Sequence, residues 1–192
     1  MDDRDIWNKF RLGDNDALSM IYSDNSKKLY LFGLKLTTNR SVVEDSIQDL
    51  FSDLVRNRRN LGDTDNIHFY LLKSYKRKLQ RQLQKEKRYN LKKDDEEIVF
   101  DITYSIEHDI INKEIENSKL QSLHKSLKEL TPRQKEAIYL RFTVELEYGE
   151  IAEIMEMSIE SARNLISKSI KSLRTAIQPN YSILLFILRK LF

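Results

Sequence analysis

A stripe of hydrogen-bonding and cationic side chains lies near the end of this 192-residue chain. Its members are Glu160, Arg163, Asn164, Ser167, Lys168 and Lys171. Their spacing of three or four residues places all of them on one face of a helix. Arg and Asn side chains can form paired hydrogen bonds with base edges, and Lys side chains bind phosphates. The stripe therefore predicts recognition of a nucleic acid. The alternative is an amphipathic helix whose outer face meets only water.

The residues around this stripe predict a helix-turn-helix. A short helix over 148–156 contributes Ile151, Ala152 and Met155 to a core, a break follows at Glu156-Met157, and Ser158 caps the next helix. On that helix the predicted buried face consists of Ile159, Ala162, Ile166, Ile170, Leu173 and Ile177. The stripe lies opposite them, where a recognition helix meets the major groove.

Two further helices carry charge on one face. A helix opened by Ser41, with Glu44 completing a capping box, buries Ile47 and Phe51. Its opposite side is acidic and polar: Glu44, Asp45, Gln48, Asp49 and Ser52. A helix from Asn66 to Arg88 buries Leu71, Leu72, Tyr75, Leu79 and Leu83. Its predicted outer face is cationic and suited to phosphates: Lys73, Lys76, Arg77, Arg81, Lys85 and Arg88. Taken by itself, each of these charged faces is more often an ordinary solvated surface.

The rest of the chain also reads as helix. Only four glycines and two prolines occur, and a third of the residues are charged, which favours an all-α fold. We predict short helices over 4–12, 15–23 and 27–36, and a loop over 56–66. A linker follows over 89–112, with helices resuming near Ile111. Thr131 and Gln134 then predict a capping box that starts another helix.

Composition argues against several other classes of protein. There is no cysteine, and His68, His108 and His124 do not cluster with carboxylates at metal-ligand spacing, so we expect no metal, no cofactor and no enzymatic activity. The N-terminus lacks an apolar signal segment, and no apolar run is long enough to span a bilayer. We therefore expect a cytoplasmic protein. Residues 1–93 carry a net charge of +7 and residues 94–192 a net charge of −4.

Three segments together resemble the sigma-70 family of RNA polymerase sigma factors. The segment LTPRQKEAIYLRF followed by YGEIAEIMEMSIESARNLISKSIKSLR is similar to region 4, which binds the promoter −35 element. The segments DIWNKFRLGDNDALSMIY and VVEDSIQDLF, followed by the basic helix, are similar to region 2. Region 2 joined directly to region 4 in so short a chain resembles the extracytoplasmic-function (ECF) group. The chain departs from the family at Glu156, where Gly is usual in the bend, and at Glu145 and Glu147, where Gly and Ser are common.

The resemblance implies two small helical domains joined by a flexible linker. Residues 1–88 would bind core polymerase and the −10 element, and residues 113–177 would bind the −35 element. The residues expected to bind the −35 element are Ser158, Glu160, Ser161, Arg163, Asn164, Ser167, Lys168 and Lys171. Those expected at the −10 element are Arg58, Asn60, Leu61, Asn66, Lys73, Lys76, Arg77 and Arg81. Those expected to bind the clamp helices of the largest polymerase subunit are Glu44, Asp45, Gln48, Asp49 and Phe51.

Some interpretations remain open at this point. Phe69, Tyr70 and Tyr75 suit base stacking, but aromatic residues at helical spacing favour the core. A stand-alone helix-turn-helix regulator would share the second domain and lack the acidic helix. The apolar tail over 178–192 completes the second domain, docks on a partner or on the first domain, or rests on a membrane surface. The resemblance further implies an anti-sigma protein as a partner, besides core polymerase and promoter DNA.

Overall fold

The computed structural model describes residues 2–89, 99–101 and 125–177. The chain divides into two compact units, Met1–Val99 and Phe100–Phe192. Regular structure within the described ranges is helical throughout, which confirms the predicted all-α fold. Most of the predicted linker, the helix start near Ile111 and the apolar tail lie outside these ranges. No helix in the described part of the chain is long and apolar enough to cross a membrane.

The first unit is a bundle built around one buried core. It contains α1 (Asp3–Leu12), α2 (Asn15–Gly33), α3 (Arg40–Asn57), a 3-10 turn (Arg58–Asn60) and α4 (Ile67–Tyr89). Its largest fully buried side chains are Trp7, Leu29, Phe32, Leu71, Leu72, Tyr75 and Leu79. The five residues predicted to point inward from α4 are all buried, because they repeat with the helical period.

Helix α2 is continuous, so the prediction of separate helices over 15–23 and 27–36 is wrong. The polar residues 24–26 have weak helix propensity, which suggested a break. Asn25 nevertheless lies buried inside the helix, where its Nδ2 donates to the Ile21 carbonyl at 2.8 Å. Its Oδ1 lies 2.8 Å from the His68 Nδ1 on α4. This tertiary contact outweighs the local preference.

Helix α3 begins two residues earlier than the predicted capping box implies. Asn39 is the N-cap, and its Oδ1 accepts the Val42 amide at 3.4 Å. Ser41 and Glu44 are therefore inside the helix and exposed, and the predicted capping box between them is wrong. Asn is as good an N-cap as Ser, so the two starts were close alternatives on sequence alone.

The second unit contains the helix-turn-helix. Residues 125–129 are helical, and α5 (Pro132–Phe142), α6 (Tyr148–Ile154) and α7 (Ile159–Ile177) follow. The predicted capping box at α5 is confirmed: the Thr131 hydroxyl accepts the Gln134 amide, and the Gln134 side chain accepts the Thr131 amide. Ser158 also caps α7, since its Oγ accepts the Ser161 amide at 3.1 Å.

Helix α6 ends in a left-handed turn at Glu156. The φ of Glu156 is 53°, and the Met157 amide donates to the Ala152 carbonyl at 3.0 Å. This six-residue closure is the Schellman motif, whose left-handed position usually holds glycine. Helix α1 ends in the same way, with Gly13 at φ 101° and the Asp14 amide bonded to the Lys9 carbonyl. The bend between the two helices of the motif is thus formed with a side chain where α1 uses glycine.

Two residues of the predicted linker belong to the second unit. Phe100 is buried, and its ring centroid lies 5.6 Å from that of Tyr139 on α5. The Asp101 carboxylate lies 3.2 Å from the Lys135 Nζ, also on α5. This short segment is therefore packed against the second unit.

Candidate functional site

The predicted recognition stripe lies on one exposed face of α7. All eight residues assigned to the −35 element are exposed, from Ser158 and Glu160 to Lys168 and Lys171. Behind them Ala162, Ile166 and Leu173 are buried. Ile159 was predicted to be buried and is 49% exposed, so that part of the prediction is wrong. Because Cα–Cβ bonds tilt toward the helix N-terminus, the side chain of a first-turn residue projects past the helix end.

Arg163 is held beside an aromatic ring that the sequence did not single out. Its Cζ lies 5.5 Å from the centroid of the Tyr148 ring at the start of α6. The Arg141 Cζ on α5 lies 4.8 Å from the same ring. Arg141 also donates from Nη1 to the Leu146 carbonyl at 2.6 Å, which fixes it in place. Tyr148 thus connects α5 with the exposed face of α7, and guanidinium groups over a ring are attracted to its π face.

Another arginine of α5 supports the turn itself. The Arg133 Nη2 on α5 donates to the Met155 carbonyl at 3.0 Å. A cation at this position satisfies a free carbonyl at the C-terminus of α6 and interacts favourably with the helix dipole. The geometry of the helix-turn-helix therefore depends on α5 as well as on the two helices that form it.

The cationic face of α4 is smaller than predicted. Arg77, Arg81 and Lys85 are exposed, and Lys73 is half-buried with its Nζ 5.8 Å from the Phe69 ring centroid. Lys76 is only 8% exposed, so its predicted outward position is wrong. It follows Leu72 by four residues, a spacing that places it on the core face. The side chain of Arg88 lies outside the described residues.

A cleft of about 480 Å³ between α3 and α4 brings several predicted −10 residues together. Leu61, Arg77 and Arg81 line it, together with Tyr70 and Asp53. Arg58 and Asn60 line a different cavity at the 3-10 turn, whereas Lys73 and Asn66 line neither. The structure therefore groups only part of the predicted set in one place.

An ion pair at this cleft was not predicted. The Lys78 Nζ lies 2.6 Å from the Asp53 Oδ2, which connects α4 to α3. The hydrogen bond from Lys78 lowers the pKa of Asp53 below its usual value. The two residues lie far apart in the sequence, so no local pattern could have revealed the pair.

The loop before α4 contains hydrogen bonds between its own residues. Asn66 Oδ1 accepts the Phe69 amide at 3.0 Å, so this candidate for base contact caps α4. Thr64 Oγ1 accepts the Asn66 amide and donates to the Asn66 carbonyl, both at 3.1 Å. Asn60 is exposed and Leu61 half-buried. Of the three aromatic residues weighed for stacking, Tyr75 is fully buried, which confirms its core position.

The acidic face of α3 is exposed as predicted. Glu44, Asp45, Gln48 and Asp49 are all exposed, while Ile47 lies on the buried side. Phe51, assigned to the same binding surface, is only 7% exposed. Its ring forms an edge contact with Tyr22 of α2, with centroids 4.8 Å apart. Phe51 is therefore mainly a core residue, and the exposed part of the surface is carboxylate and amide.

Comparison with known proteins bears on both units. Residues 126–175 match the family model "Sigma-70, region 4". No curated protein matches the sequence. The fold is similar to that of the sigma factor RpoE from Bartonella quintana, solved in complex with the anti-sigma factor NepR, at 19% identity and a TM-score of 0.56, covering 84% of this chain and 94% of that one. It is also similar to CnrH, solved in complex with the cytosolic domain of CnrY, at 14% identity and a TM-score of 0.58, covering 90% of this chain and 95% of that one.

The sequence match and the fold agree with each other and with the exposed stripe on α7. The matched residues include α6 and all but the last two residues of α7, and the fold likeness extends over most of the chain. Residues 126–175 are similar to sigma-70 region 4, and the helical fold of the chain is similar to those of RpoE and CnrH.

Proposed function

We propose that this protein is a transcription initiation factor that binds core RNA polymerase and directs it to promoters. The observation that carries the proposal is the α7 stripe: its six hydrogen-bonding or charged side chains are exposed, while Ala162, Ile166 and Leu173 on the opposite side of the helix are buried. This stripe lies within the residues that match sigma-70 region 4. In this mechanism the protein performs no covalent chemistry, and catalysis and Mg²⁺ belong to the polymerase.

The second unit, with the proposed domain over 113–177, would read the −35 element as duplex DNA. Arg163 and Asn164 lie in the early turns of α7, where a recognition helix makes its base contacts. Lys168 and Lys171 lie further along the same face and are placed for phosphates. Arg163→Ala is expected to cost about 1–3 kcal/mol on the preferred promoter and to relax preference at one or two positions. Lys171→Ala should weaken all sequences alike and reduce the salt dependence of binding.

The first unit, with the proposed domain over 1–88, would hold the opened −10 strand. Arg77 and Arg81 are exposed on α4 beside the cleft that Leu61 also lines. Cations along one face follow a phosphate backbone without reading its sequence, and a cleft beside them offers space for an unstacked base. Unstacking a base costs a few kcal/mol, so capture of the strand would supply part of the energy of opening.

The acidic face of α3 is the proposed docking surface for polymerase. Asp45 and Asp49 lie on its exposed side, and carboxylates form strong charge-assisted hydrogen bonds with arginine. The resemblance points to the arginine-rich clamp helices of the largest subunit as the partner. Because RpoE and CnrH are known in complexes with NepR and CnrY, we extend the proposal to a protein inhibitor of this chain as well.

Run-off transcription on genomic DNA with core polymerase, with and without this protein, tests the proposal. New transcripts from defined start sites are expected only when both are present. A stand-alone helix-turn-helix regulator would instead bind duplex DNA without polymerase and would not copurify with the core enzyme. Sequence-specific DNA binding combined with no copurification and no transcripts would therefore contradict the proposal and favour that alternative.

A further inference from the structure

Helix α1 presents one row of side chains to the loop that precedes α4. Asp3, Trp7 and Arg11 are spaced by four residues, so they lie on the same face of α1. Each of them binds a different point of the chain between Gly62 and Ile67. None of the three was assigned a role by the sequence, because their partners lie more than fifty residues away.

The three contacts differ in chemistry. The Asp3 carboxylate accepts the Ile67 amide at 2.8 Å, so it acts as an anionic cap for the N-terminus of α4. The Trp7 Nε1 donates to the Gly62 carbonyl at 2.8 Å. The Arg11 guanidinium forms an ion pair with the Asp63 carboxylate. Together they bind a backbone amide, a backbone carbonyl and a side chain of one short segment.

Trp7 also packs in the core of the first unit. Its side chain is fully buried, and its ring lies 4.8 Å from the Tyr70 ring and 5.4 Å from the Phe10 ring, between centroids. Tyr70 also lines the cleft that Leu61, Arg77 and Arg81 share. At the end of α1, Gly13 lies next to the Arg58 guanidinium, which a Cβ on Gly13 would meet at 3.5 Å. The same helix thus borders the loop at both ends, from Arg58 to Ile67.

We propose that α1 is a positioning element for capture of the −10 strand: Asp3, Trp7 and Arg11 hold the loop over 58–66 in the shape that receives an unstacked base. The proposal rests on the proposed function of this loop and assigns no DNA contact to α1. A binding loop held in its bound shape before the ligand arrives loses less conformational entropy on binding. Three tertiary contacts to one short segment provide that preorganisation, so the loss of any one should make the loop looser and its choice of base less strict.

The ion pair offers the sharpest test, because its charges can be exchanged. Arg11→Glu and Asp63→Arg each replace attraction by repulsion, and the double variant restores an opposite pair with the wild-type net charge. Lys9→Glu is the matched control, since it makes the same charge change at an exposed position of α1. Trp7→Phe keeps an aromatic ring but removes the donor to the Gly62 carbonyl together with part of the buried ring volume, so it perturbs a second of the three contacts.

Two measurements are made on the full-length chain bound to core polymerase. Amide hydrogen exchange over Asp63 to Ile67 reports whether the loop is held. Selection of promoters randomised separately at −10 and at −35 reports specificity. Arg11→Glu and Asp63→Arg are each expected to speed loop exchange and to reduce −10 selectivity by about threefold to tenfold. Selectivity at −35 and polymerase affinity should not change, and the double variant should recover both losses.

Each outcome decides the matter. Faster loop exchange with unchanged −10 selectivity means that α1 has only a structural role, and the proposal is wrong. Unchanged exchange in all variants also overturns it, and so does a loss of selectivity equal to that of Lys9→Glu. If wild-type protein supports no run-off transcription, the proposed function fails as well. A wild-type protein that transcribes, with variants that choose −10 sequences normally, overturns only the role of α1.

Discussion

Replacing Glu156 with glycine should stabilise the second unit. Glu156 has φ 53° in the Schellman turn between α6 and α7, and Glu145 before α6 has φ 63°. For an L-residue with a Cβ, left-handed backbone costs about 1–2 kcal/mol. Glycine avoids this cost but loses more backbone entropy on folding, by about 0.5–1 kcal/mol. The expected net gain for Glu156→Gly is therefore about 0.5–1 kcal/mol in the free energy of unfolding.

Alanine separates the backbone effect from loss of the glutamate side chain. Glu156→Ala removes the same carboxylate and keeps a Cβ at positive φ, so glycine should be more stable than alanine here by about 0.5–1 kcal/mol. Glu153 supplies the matched control, because it is exposed and lies within α6. At this helical position the order should reverse, and Glu153→Ala should have a free energy of unfolding about 1 kcal/mol higher than that of Glu153→Gly.

The measurement is native-state hydrogen exchange on the full chain, resolved by peptide. Peptides from residues 132–177 report the affected unit, and peptides from residues 3–89 serve as an internal reference in the same sample. A gain of about 1 kcal/mol slows global exchange about fivefold, since 1.4 kcal/mol corresponds to a factor of ten. If the glycine variant is no more stable than the alanine variant at position 156, the left-handed backbone does not destabilise this turn, and the reasoning is wrong.

Three other expected outcomes follow from single contacts. Replacing both Asp45 and Asp49 with Lys should weaken polymerase binding by several kcal/mol in pull-down titrations, because attraction becomes repulsion. The circular dichroism spectrum should not change, because both residues are exposed. Undiminished binding would contradict the assignment of this surface to polymerase docking. Tyr148→Leu should reduce selectivity for the −35 element about twofold to fivefold, whereas Tyr148→Phe, which keeps the ring, should not. In a protein that already carries Arg163→Ala, Tyr148→Leu should have no further effect, because the ring acts through the Arg163 guanidinium. Burial lowers the pKa of His68 to about 4. Between about pH 6.5 and pH 4 the unfolded chain therefore binds more protons than the folded chain, and the free energy of unfolding decreases as the pH is lowered. The free energy of unfolding measured in urea should decrease by about 2 kcal/mol from pH 7 to pH 5 because of this group. In His68→Gln, which has no titrating side chain at this position, the free energy of unfolding should change less over the same pH range.

Local periodicity was sufficient for most of the helices and for the face that each one buries. The helical period of Leu72, Tyr75 and Leu79 on α4 gave the correct buried side, and Thr131 with Gln134 gave the correct start of α5. Such patterns succeed because the partners in a helix or a cap lie within four residues of each other. The helix-turn-helix was predictable for the same reason.

Errors occurred where a contact from elsewhere in the fold decided the outcome. The buried side chain of Asn25 bonds to His68, and this kept α2 continuous through residues with weak helix propensity. The helical spacing of Lys76 places it on the core face of α4, whereas a charged residue is usually exposed, and in the structure Lys76 is buried. The pairs formed by Tyr148 with Arg163 and by Asp53 with Lys78 join different helices, so no spacing in one sequence reveals them.

In both surfaces proposed to bind DNA, residues of a neighbouring helix hold the exposed groups in position. Arg163 is exposed, and its position depends on Tyr148 and, through Arg141, on α5. The loop before α4 is also partly exposed, and its backbone is held by Asp3 and Trp7 of α1. Side chains that only position others contribute to specificity without touching the ligand, because a site that is loose by a fraction of an ångström loses much of its selectivity. Substitutions that change promoter choice in this protein should therefore be found on α1 and at the start of α6 as well as on the DNA-facing residues.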